Sequence, residues 1–470
     1  MSELLEKLKS YADSDHLPMH MPGHKRRMGD LGNPFFIDIT EIDGFDDLHH
    51  AEGILRDAQQ RAARLYGSEE THYLVNGSTA GILAAVSGCV PAGGTILTAR
   101  NCHQSVIHVA LLRGLNTEYI YPQSTSEMGI SGPILADNVD KALRERPDIR
   151  AVLLTSPTYD GIVSDVEAIA GAVHAHGVPL IVDEAHGAHF PFSGYFPRDA
   201  VSCGADVVVM SLHKTLPSLT QTALIHLNGT LIDREKIRFF LRVYQTSSPS
   251  YVLMAGMDEC IDWIGENRAE FDRFGERLTR LRTDLGSMKH LKLLEFPGMD
   301  RSRILVSGAR AGLRGKELAR QLREDYRIEA EMAGISYVCA LTSVADREED
   351  LRRLRDAFLW MDAGTECTDM KEPDPVPAVL PKPRRFCPMQ TAFDADAEWI
   401  PLTEARGRVS AGFVVPYPPG IALLTPGEEI NEAILGSLAV LPQAGCELRG
   451  VENGRLRVIK GERVWEKSSV

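Results

Sequence analysis

The chain has 470 residues, of which 44% are hydrophobic and 25% charged, so it can bury a sizeable core and exceeds the size at which one core usually keeps growing. Its formal net charge of −14 argues against a nucleic-acid partner, because a surface that binds the phosphate backbone needs clustered Lys and Arg. No apolar run is long enough to span a bilayer, which argues against a membrane protein. The eight cysteines show no CxxC spacing, which argues against a disulfide framework and a zinc ribbon.

The first half of the chain has the pattern of an α/β domain. Residues 1–10 predict a short amphipathic helix and lack the apolar region and cleavage site of a secretory signal, so we expect a cytoplasmic protein. From about Leu48 to Leu224, apolar runs typical of strands alternate with helical stretches, which indicates a mostly parallel sheet. The strand-like runs are Thr71–Val75, Thr95–Thr98, Thr117–Tyr121, Ala151–Thr155, Pro179–Asp183 and Val207–Met210.

The second half predicts two smaller units. The charged, periodic stretch Arg268–Leu285 predicts a long helix that leads into a second α/β unit. The elements predicted in that unit are strands near Leu291–Glu295 and Arg303–Ser307 and helices near Gly315–Glu324 and Ala345–Met361. Prolines at Glu372–Pro377 and Pro381–Pro383 cannot continue a helix and predict a linker. The predicted units are an N-terminal arm (1–47), a large domain (48–285), a small α/β domain (286–371) and a C-terminal domain (372–470).

Two residues that follow neighbouring strand-like runs suggest the chemistry. Asp183 closes one run, in the sequence Val-Asp-Glu-Ala-His, and Lys214 follows the next, in Ser-Leu-His-Lys-Thr. Because parallel strands end at one edge of a sheet, the two side chains are expected to emerge there together. A lysine amine forms a Schiff base with the aldehyde of pyridoxal 5′-phosphate (PLP), and an aspartate keeps the pyridine nitrogen protonated and the ring electron-poor. The pair therefore predicts a PLP site.

A glycine-rich turn supplies a matching phosphate site. The sequence Asn76-Gly-Ser-Thr-Ala-Gly81 follows a strand-like run and opens a helical stretch, so free backbone N–H groups and the hydroxyls of Ser78 and Thr79 would face an anion. Taken alone, each of these features has a more common structural explanation. The two hydroxyls would be ordinary helix caps, Asp183 would also be a helix cap, and Lys214 would be a solvated surface lysine. Their occurrence in one chain favours the cofactor site over those structural explanations.

Histidines flank the predicted site. His103 lies just past the strand-like run that begins at Thr95, where its ring could stack on a flat cofactor, although a core or surface histidine is equally consistent with the residues alone. The hydroxyl and imidazole groups around Lys214, among them His213, suggest further contacts to phosphate or to the Schiff base. The other histidines lack zinc-like spacings and no HExxH motif occurs, so no metal site is expected.

Further segments accompany these motifs. The full set is Pro22-Gly-His-Lys25, Asn76-Gly-Ser-Thr79, Asn101-Cys-His103, Asp183-Glu-Ala-His186, His213-Lys-Thr-Leu-Pro217, Thr246-Ser-Ser-Pro249 and Pro416-Tyr-Pro-Pro-Gly420. Together they resemble the Orn/Lys/Arg decarboxylase family, PLP enzymes with the aspartate-aminotransferase fold. The segments that begin at His213 and Pro416 are the most specific to it. The resemblance runs from near residue 20 to Glu428, almost the whole chain, and the chain is similar to the short form of the family, which lacks an N-terminal wing domain.

The resemblance implies a role for individual residues. Lys214 would carry the cofactor, Asp183 would bind its pyridinium nitrogen, and His103 would stack on its ring. Ala185 would cover the opposite ring face, and His186 would lie near the ring hydroxyl. The side chains implied for the phosphate are Ser78, Thr79, Ser211 and His213, together with Thr246 and Ser247 of a neighbouring subunit. The resemblance therefore implies a homodimer with active sites at its interface.

The implied activity is α-decarboxylation of arginine, lysine or ornithine to CO2 and an amine that is a polyamine precursor. The resemblance makes Glu404 a candidate for binding the far end of the substrate; further acidic candidates, for which solvated carboxylates are slightly favoured, are Asp43, Asp46 and Asp47. Gln104 replaces a lysine found in many relatives and His186 a tryptophan found in some, which bears on substrate choice. Another PLP reaction of this fold, such as that of a lyase or desulfurase, and a catalytically silent regulatory protein stay open as alternatives.

Overall fold

The structure, a computed structural model, describes residues 2–29, 31–125, 129–365, 380–417, 420–443 and 446–463. Its α-helices are α1 (Glu3–Ala12), α2 (Ile54–Tyr66), α3 (Gly77–Cys89), α4 (Gln104–Leu112), α5 (Ala136–Glu145), α6 (Val166–His174), α7 (Leu212–Thr215), α8 (Arg234–Tyr244), α9 (Tyr251–Glu266), α10 (Arg268–Leu285), α11 (Gly315–Tyr326), α12 (Glu348–Ala363), α13 (Met389–Asp394) and α14 (Glu432–Gln443). Short 3₁₀ helices span Pro34–Phe36, Leu48–His50, Phe190–Phe192, Ala309–Ala311 and Leu402–Glu404.

The β-strands complete the element order. They are β1 (Leu17–Met19), β2 (Glu70–Leu74), β3 (Thr95–Ala99), β4 (Asn116–Ile120), β5 (Ile149–Thr155), β6 (Leu180–Asp183), β7 (Val207–Met210), β8 (Ala223–Leu227), β9 (Lys292–Leu293), β10 (Arg303–Ser307), β11 (Ile328–Ala330), β12 (Met332–Ala333), β13 (Tyr337–Leu341), β14 (Ala397–Pro401), β15 (Arg408–Ser410), β16 (Val415–Tyr417), β17 (Glu447–Arg449), β18 (Val451–Glu452) and β19 (Arg455–Arg463).

A seven-stranded sheet in the order β2-β8-β7-β6-β5-β3-β4 forms the large domain. Strands β3 to β7 pair in parallel, whereas β8 runs antiparallel to β7 and β2. The mostly parallel sheet predicted from the sequence is confirmed, and the six predicted strands coincide with β2 to β7 to within two residues at either end. Strands β6 and β7 are buried along their whole length, which explains their uninterrupted apolar sequences.

Helix α10 leads from the large domain to the small domain, and its bounds are those predicted. Its buried residues Phe271, Phe274, Leu278 and Leu281 recur at intervals of three and four, so one stripe of the helix faces the core. That core is continuous from one face of the large sheet into the small domain, because the same cluster includes Leu318 of α11 and residues of α12. The two domains therefore share apolar packing.

The small domain contains the antiparallel sheet β12-β13-β10-β9, in which β10 and the short β9 fall where the sequence predicts strands. The N-terminal arm is tied to this domain, since β1 pairs in parallel with β11 through the partners Leu17 and Ile328. This pairing joins residues more than 300 positions apart, and the sequence pattern does not predict it.

The C-terminal domain has its own apolar core beneath the sheet β14-β19-β15. A buried ion pair between Arg100 and Glu428, with Nη2 and Oε2 3.0 Å apart, connects it to the large domain. The predicted linker at Glu372–Pro377 lies outside the described residues, and the domain boundaries proposed from the sequence stay predictions. None of the helices in the described ranges combines the length and the apolar composition that crossing a membrane requires.

Candidate active site

Asp183 and Lys214 line one cavity of about 200 Å³ at the carboxyl-end edge of the large sheet. Asp183 is the last residue of β6, and Lys214 lies in the single-turn helix α7 that follows β7. Because β6 and β7 are parallel neighbours, both chains leave the sheet at the same edge. The structure therefore brings together the two residues on which the predicted cofactor site depends, and Lys214 points into the protein rather than into bulk water.

The glycine-rich turn lies at the same edge of the sheet. Gly77 adopts φ +72°, in the left-handed region that favours glycine, where the chain turns from β2 into α3. Ser78 lines the cavity, and its Oγ accepts a hydrogen bond from Ser211 Oγ at 3.1 Å. The predicted phosphate residues Ser78 and Ser211 are thus adjacent, and Ser78 lies in the first turn of a 13-residue helix whose N-cap residue, Asn76, makes no side-chain cap hydrogen bond.

His213 follows Ser211 by two residues, and neither side chain is among those that line the cavity. Nδ1 of His213 lies 2.9 Å from the carbonyl oxygen of Thr222. Because a carbonyl only accepts, Nδ1 carries the proton and donates. Burial lowers the pKa of His213 to about 4. The ring is therefore neutral near pH 7, and its Nε2 is an acceptor. Thr79 is exposed and is not part of the cavity wall.

His103 and Ala185 supply two further parts of the cavity wall. His103 caps helix α4, where its Nδ1 accepts a hydrogen bond from the backbone N–H of Ser105 at 3.2 Å, so the ring orientation is fixed. Burial lowers the pKa of His103, while the charge of Asp183 raises it. Ala185 follows Asp183 and donates its backbone N–H to Oδ1 at 3.2 Å. The residues predicted to sandwich a flat ring thus surround the same space as Asp183.

Two polar atoms in the cavity wall have no hydrogen-bond partner among the described residues. They are Oδ1 of Asn101 and Oγ1 of Thr155, and both are buried. Thr155 pairs in register with Asp183, so its hydroxyl lies beside that carboxyl group. Buried polar atoms are rarely left unsatisfied in native proteins. The cavity is therefore suited to a polar ligand such as PLP, whose ring substituents can meet these atoms.

His186 links Lys214 to a residue that the sequence does not single out. Nζ of Lys214 lies 3.0 Å from Nε2 of His186, and Nη2 of Arg303 lies 2.7 Å from Nδ1 of the same ring. Burial lowers the pKa of Lys214 and lowers that of His186 well below its usual range. Arg303 begins β10 of the small domain, so the cavity region depends on how the two domains pack.

The loop after β5 contributes further residues that sequence reasoning missed. Asp160 lines the cavity and accepts a hydrogen bond from the hydroxyl of Tyr337 at 2.6 Å, and burial raises the pKa of Asp160. Tyr159 packs its ring edge-on against His186, with the centroids 5.2 Å apart, and its hydroxyl donates to Glu331. Their position directly after a parallel strand was a signal that could have revealed Tyr159 and Asp160.

Several predicted residues do not line this cavity. Thr246 donates its backbone N–H to Asn76 Oδ1 at 3.2 Å, and both Thr246 and Ser247 are exposed. Glu404 lies in an exposed 3₁₀ turn, so the structure does not bring it to Lys214 of the same chain. Asp46 caps the loop that contains it, because its carboxyl oxygens accept backbone hydrogen bonds from residues that include Gly53, at 2.8 Å, and Glu52, at 3.0 Å. Among the departures from the family, Gln104 donates to the Gly420 carbonyl at 3.3 Å.

Comparisons with known proteins agree with the geometry. Residues 2–295 match the family described as Orn/Lys/Arg decarboxylase, major domain, and residues 369–454 match Orn/Lys/Arg decarboxylase, C-terminal domain. An arginine decarboxylase of Bacillus subtilis is 30% identical over 484 residues, which cover 96% of each chain. The crystal structure of the Francisella novicida lysine decarboxylase superposes with a TM-score of 0.77 at 18% identity, covering 97% of this chain and 80% of that one.

The fold extends beyond decarboxylases. An alanine–glyoxylate aminotransferase from Nostoc sp. matches 65% of this chain and 85% of its own, with a TM-score of 0.53 at 15% identity. This likeness and the mostly parallel sheet confirm the aspartate-aminotransferase-like fold class predicted from the sequence. The matched residues of the major domain span more than half of the sequence. The chain belongs to the Orn/Lys/Arg decarboxylase family.

Proposed function

We propose that the protein is a PLP-dependent decarboxylase that converts arginine, lysine or ornithine to CO2 and the corresponding amine. The observation that supports this most is the placement of Lys214 and Asp183 in one cavity at the ends of neighbouring strands. It occurs in a chain that is 30% identical, over nearly its full length, to a protein named arginine decarboxylase. The product is then a polyamine precursor, and we place the enzyme in the cytoplasm.

The residues present fit the cofactor. Lys214 would carry PLP covalently, and the charge of Asp183 would keep the pyridine nitrogen protonated. His103 and Ala185 would cover the two ring faces, and the unsatisfied Thr155 hydroxyl would meet a ring substituent. The groups assigned to the phosphate are Ser78, Thr79, Ser211 and His213 with the free N–H groups of α3. When bound, PLP supplies an electron sink for the bond broken at the substrate α-carbon.

The protein's own residues contribute orientation, charge and protons. Decarboxylation requires the substrate to be held in one orientation, and the wall around His103 would hold it so that the bond to the carboxylate is the one that breaks. Lys214 Nζ and His186 Nε2 lie 3.0 Å apart at the same end of the cavity. They are the groups placed to return a proton to the α-carbon after CO2 leaves.

The outer wall of the cavity separates the reaction from water. Apolar residues from the C-terminal domain contribute to it, among them Ile421, Leu423 and Leu441. Excluding water would strengthen the electrostatic contacts inside the cavity and protect the reacting α-carbon from side reactions. Asp160 is the acidic group of this wall besides Asp183 among the described residues, so it is our candidate contact for a cationic side chain. Glu404 stays a prediction for the far end of the substrate.

We further propose a homodimer whose active sites lie at the interface between subunits. Thr246 and Ser247 are exposed beside the glycine-rich turn, where they are free to reach a second copy of the chain. Phe35 and Phe36 are each 86% exposed, and large exposed apolar side chains of this kind commonly mark a protein contact. In this arrangement the two hydroxyls complete the phosphate site of the neighbouring subunit.

The test is product formation from three substrates offered separately. The purified protein, loaded with PLP, is incubated with arginine, lysine or ornithine labelled at the carboxylate, and released CO2 and the amine are measured. We expect CO2 and amine in equal amounts from at least one substrate, and neither from the Lys214→Ala variant. A wild-type protein with bound PLP that releases no CO2 from any of the three contradicts the proposal. A keto acid or sulfide as the product would assign another PLP reaction instead.

A further inference from the structure

Arg303 contacts the side of His186 that faces away from Lys214. Its Nη2 is 2.7 Å from Nδ1, while Nε2 is 3.0 Å from the lysine Nζ, so the three side chains form a continuous chain of contacts. Arg303 is 1% exposed and His186 7% exposed, which shields both contacts from water. We propose that Arg303 is a positioning residue that fixes the proton of His186 on Nε2 and thereby keeps Lys214 as a neutral amine.

The argument follows from which atoms can donate. A guanidinium group has only N–H donors and is not deprotonated in proteins, so His186 Nδ1 must be the acceptor of the Arg303 contact. In the neutral imidazole the proton then lies on Nε2, which donates to Nζ of Lys214. An ammonium group has no lone pair and cannot accept this bond. The two short contacts are therefore compatible with a neutral lysine and not with a charged one.

Burial and the charge of Arg303 also favour a neutral Lys214. Burial lowers the pKa of Lys214, and the charge of Arg303 lowers it further, against the opposing effect of Asp183 and Glu331. Burial also lowers the pKa of His186, and the charge of Arg303 lowers it further. The titratable and charged groups that face the pair are Asp183, Glu331, Arg303, His103 and His213, and the ring of Tyr159 packs against His186.

The ion pair that Arg303 forms with Asp300 is long and includes no hydrogen bond, so it does not explain Arg303 as a purely structural residue. Its Nε and Nη1 have no hydrogen-bond partner among the described residues, and its nearest acidic atom, Asp300 Oδ2, is 4.0 Å from Nε. The carboxyl group of Asp300 instead accepts from Ser302, through both its backbone N–H and its hydroxyl, at 2.9 and 2.8 Å. The 2.7 Å contact to His186 is the side-chain hydrogen bond that Arg303 makes in the described structure.

The inference deepens the proposed function, because it depends on Lys214 being the amine that captures the cofactor. Only an unprotonated amine attacks an aldehyde, and a lysine of ordinary pKa, near 10.4, would be almost entirely charged at pH 7. By fixing the proton of His186 on Nε2, Arg303 would keep Lys214 neutral, and therefore reactive, whenever the lysine is released from the cofactor. Arg303 then influences the reaction without contacting substrate or cofactor.

The experiment measures how fast cofactor-free protein captures PLP, from the growth of visible absorbance, as a function of pH. Arg303→Met removes both the donor and the charge, so the pH midpoint of capture should rise by about one unit, and capture at a pH well below the wild-type midpoint should slow about tenfold. Arg303→Lys keeps a cationic donor and should restore most of the rate. Arg301→Met, two residues away with a half-exposed side chain over Tyr195, is the control and should leave the midpoint unchanged.

A double-mutant cycle separates this role from simple packing. In a His186→Phe background, Arg303→Met should add little to the shift, because the residue that transmits its effect is absent. An unshifted midpoint in folded Arg303→Met, or an equal shift with and without His186, overturns the proposal. If Arg303→Met does not fold, two other variants carry the test. His186→Phe must raise the pH midpoint of PLP capture, and Arg303→Lys must leave it near the wild-type value. If either result is not obtained, the proposal is overturned.

A second readout requires neither cofactor nor substrate. In cofactor-free protein labelled with ¹⁵N-histidine, the two ring-nitrogen shifts of His186, assigned with His186→Phe, should be those of the tautomer protonated at Nε2. The opposite tautomer in the wild-type protein would overturn the inference. Because neither measurement uses an amino acid, a protein that behaves as expected here but releases no CO2 refutes the proposed function and leaves this inference intact.

Discussion

His226 shows how a single buried residue couples the stability of the fold to pH. Its ring on β8 is fully buried, 4.8 Å from the ring of Tyr66. Nδ1 lies 2.8 Å from the hydroxyl of Thr71, while Nε2 has no partner among the described residues. Burial lowers the pKa of His226 to about 3. The folded protein therefore resists a proton that the unfolded chain accepts at the ordinary histidine pKa, near 6.5.

We predict that His226 destabilises the protein as the pH falls from about 6.5 to about 3. In this window the unfolded chain binds one more proton than the folded state, so the free energy of unfolding falls by up to about 1.4 kcal/mol per pH unit. Above about pH 6.5 both states leave this histidine neutral, so the free energy of unfolding no longer changes with pH through His226. His226→Gln should flatten the pH dependence of the melting temperature between pH 6.5 and 4, whereas His50→Gln, at an exposed position, should not. Equal slopes for His226→Gln and wild type would contradict the prediction.

The residues of the candidate site differ in how far the sequence predicts them. Asp183 and Lys214 directly follow strands of one parallel sheet, so local patterns place them at a common edge. Arg303 and Tyr337 belong to the small domain, and their approach to the cavity depends on packing between domains. No local pattern encodes that packing, which is why the sequence predicted that Asp183 and Lys214 meet at one edge of the sheet and missed the residues behind His186.

At the scale of elements, the segment from β1 to Lys25 joins the small domain to the lysine-bearing helix α7. The backbone N–H of Gly23 donates to the His213 carbonyl at 2.7 Å, and the Gly23 carbonyl accepts from Ser343 Oγ at 2.6 Å. A β-carbon on Gly23 would lie 2.7 Å from Leu216 O and 2.8 Å from Leu216 N, which are backbone atoms of the turn after Lys214. Glycine is required there by close approach.

We therefore predict that Gly23→Ala weakens cofactor binding. The added methyl group must displace the turn that follows Lys214, and overpacking of this kind typically costs about 1–3 kcal/mol. The corresponding loss in PLP affinity is about tenfold or more, measured from the visible band during dialysis. Gly265→Ala is the matched control, because a β-carbon there has no neighbour within 4 Å. Retention of PLP equal to that of the control would show that the turn tolerates the methyl group.

Elements with a clear local pattern were predicted well, and those defined by distant partners were not. The strands β2 to β7 and helix α10 follow from apolar runs and from one amphipathic stripe. The apolar sequence of β8 does not reveal that it enters the sheet antiparallel, between β2 and β7. The parallel pairing of β1 with β11 depends on residues far apart in the chain. Local periodicity thus fixes element type, whereas order and direction depend on long-range packing.

At the scale of the whole molecule, three parts of the chain meet at the cavity. The large domain provides Asp183 and Lys214, the small domain provides Tyr337, and the C-terminal domain provides Leu423 and Leu441. The C-terminal domain is connected to the large domain near this wall, because Arg100 Nη2 contacts both the Leu423 carbonyl and Glu428 Oε2 at 3.0 Å. One buried ion pair therefore helps to hold the outer wall of the cavity against the large sheet.

We predict that Glu428→Ala destabilises the protein by about 3–5 kcal/mol, because it leaves the Arg100 charge buried without its partner. Glu428 Oε2 also accepts the backbone N–H of Thr425 at 2.7 Å, so the wall segment that carries Leu423 loses a second contact and PLP should dissociate faster. Urea unfolding and the rate of PLP loss measure the two effects.

The control is Glu324→Ala, which breaks an exposed ion pair with Arg320 and should lower the free energy of unfolding by less than about 1 kcal/mol. The double variant Arg100→Met/Glu428→Leu should recover part of the stability, because no uncompensated charge remains buried. A double variant less stable than Glu428→Ala would contradict this, and would show that the ion pair itself stabilises the contact between the domains.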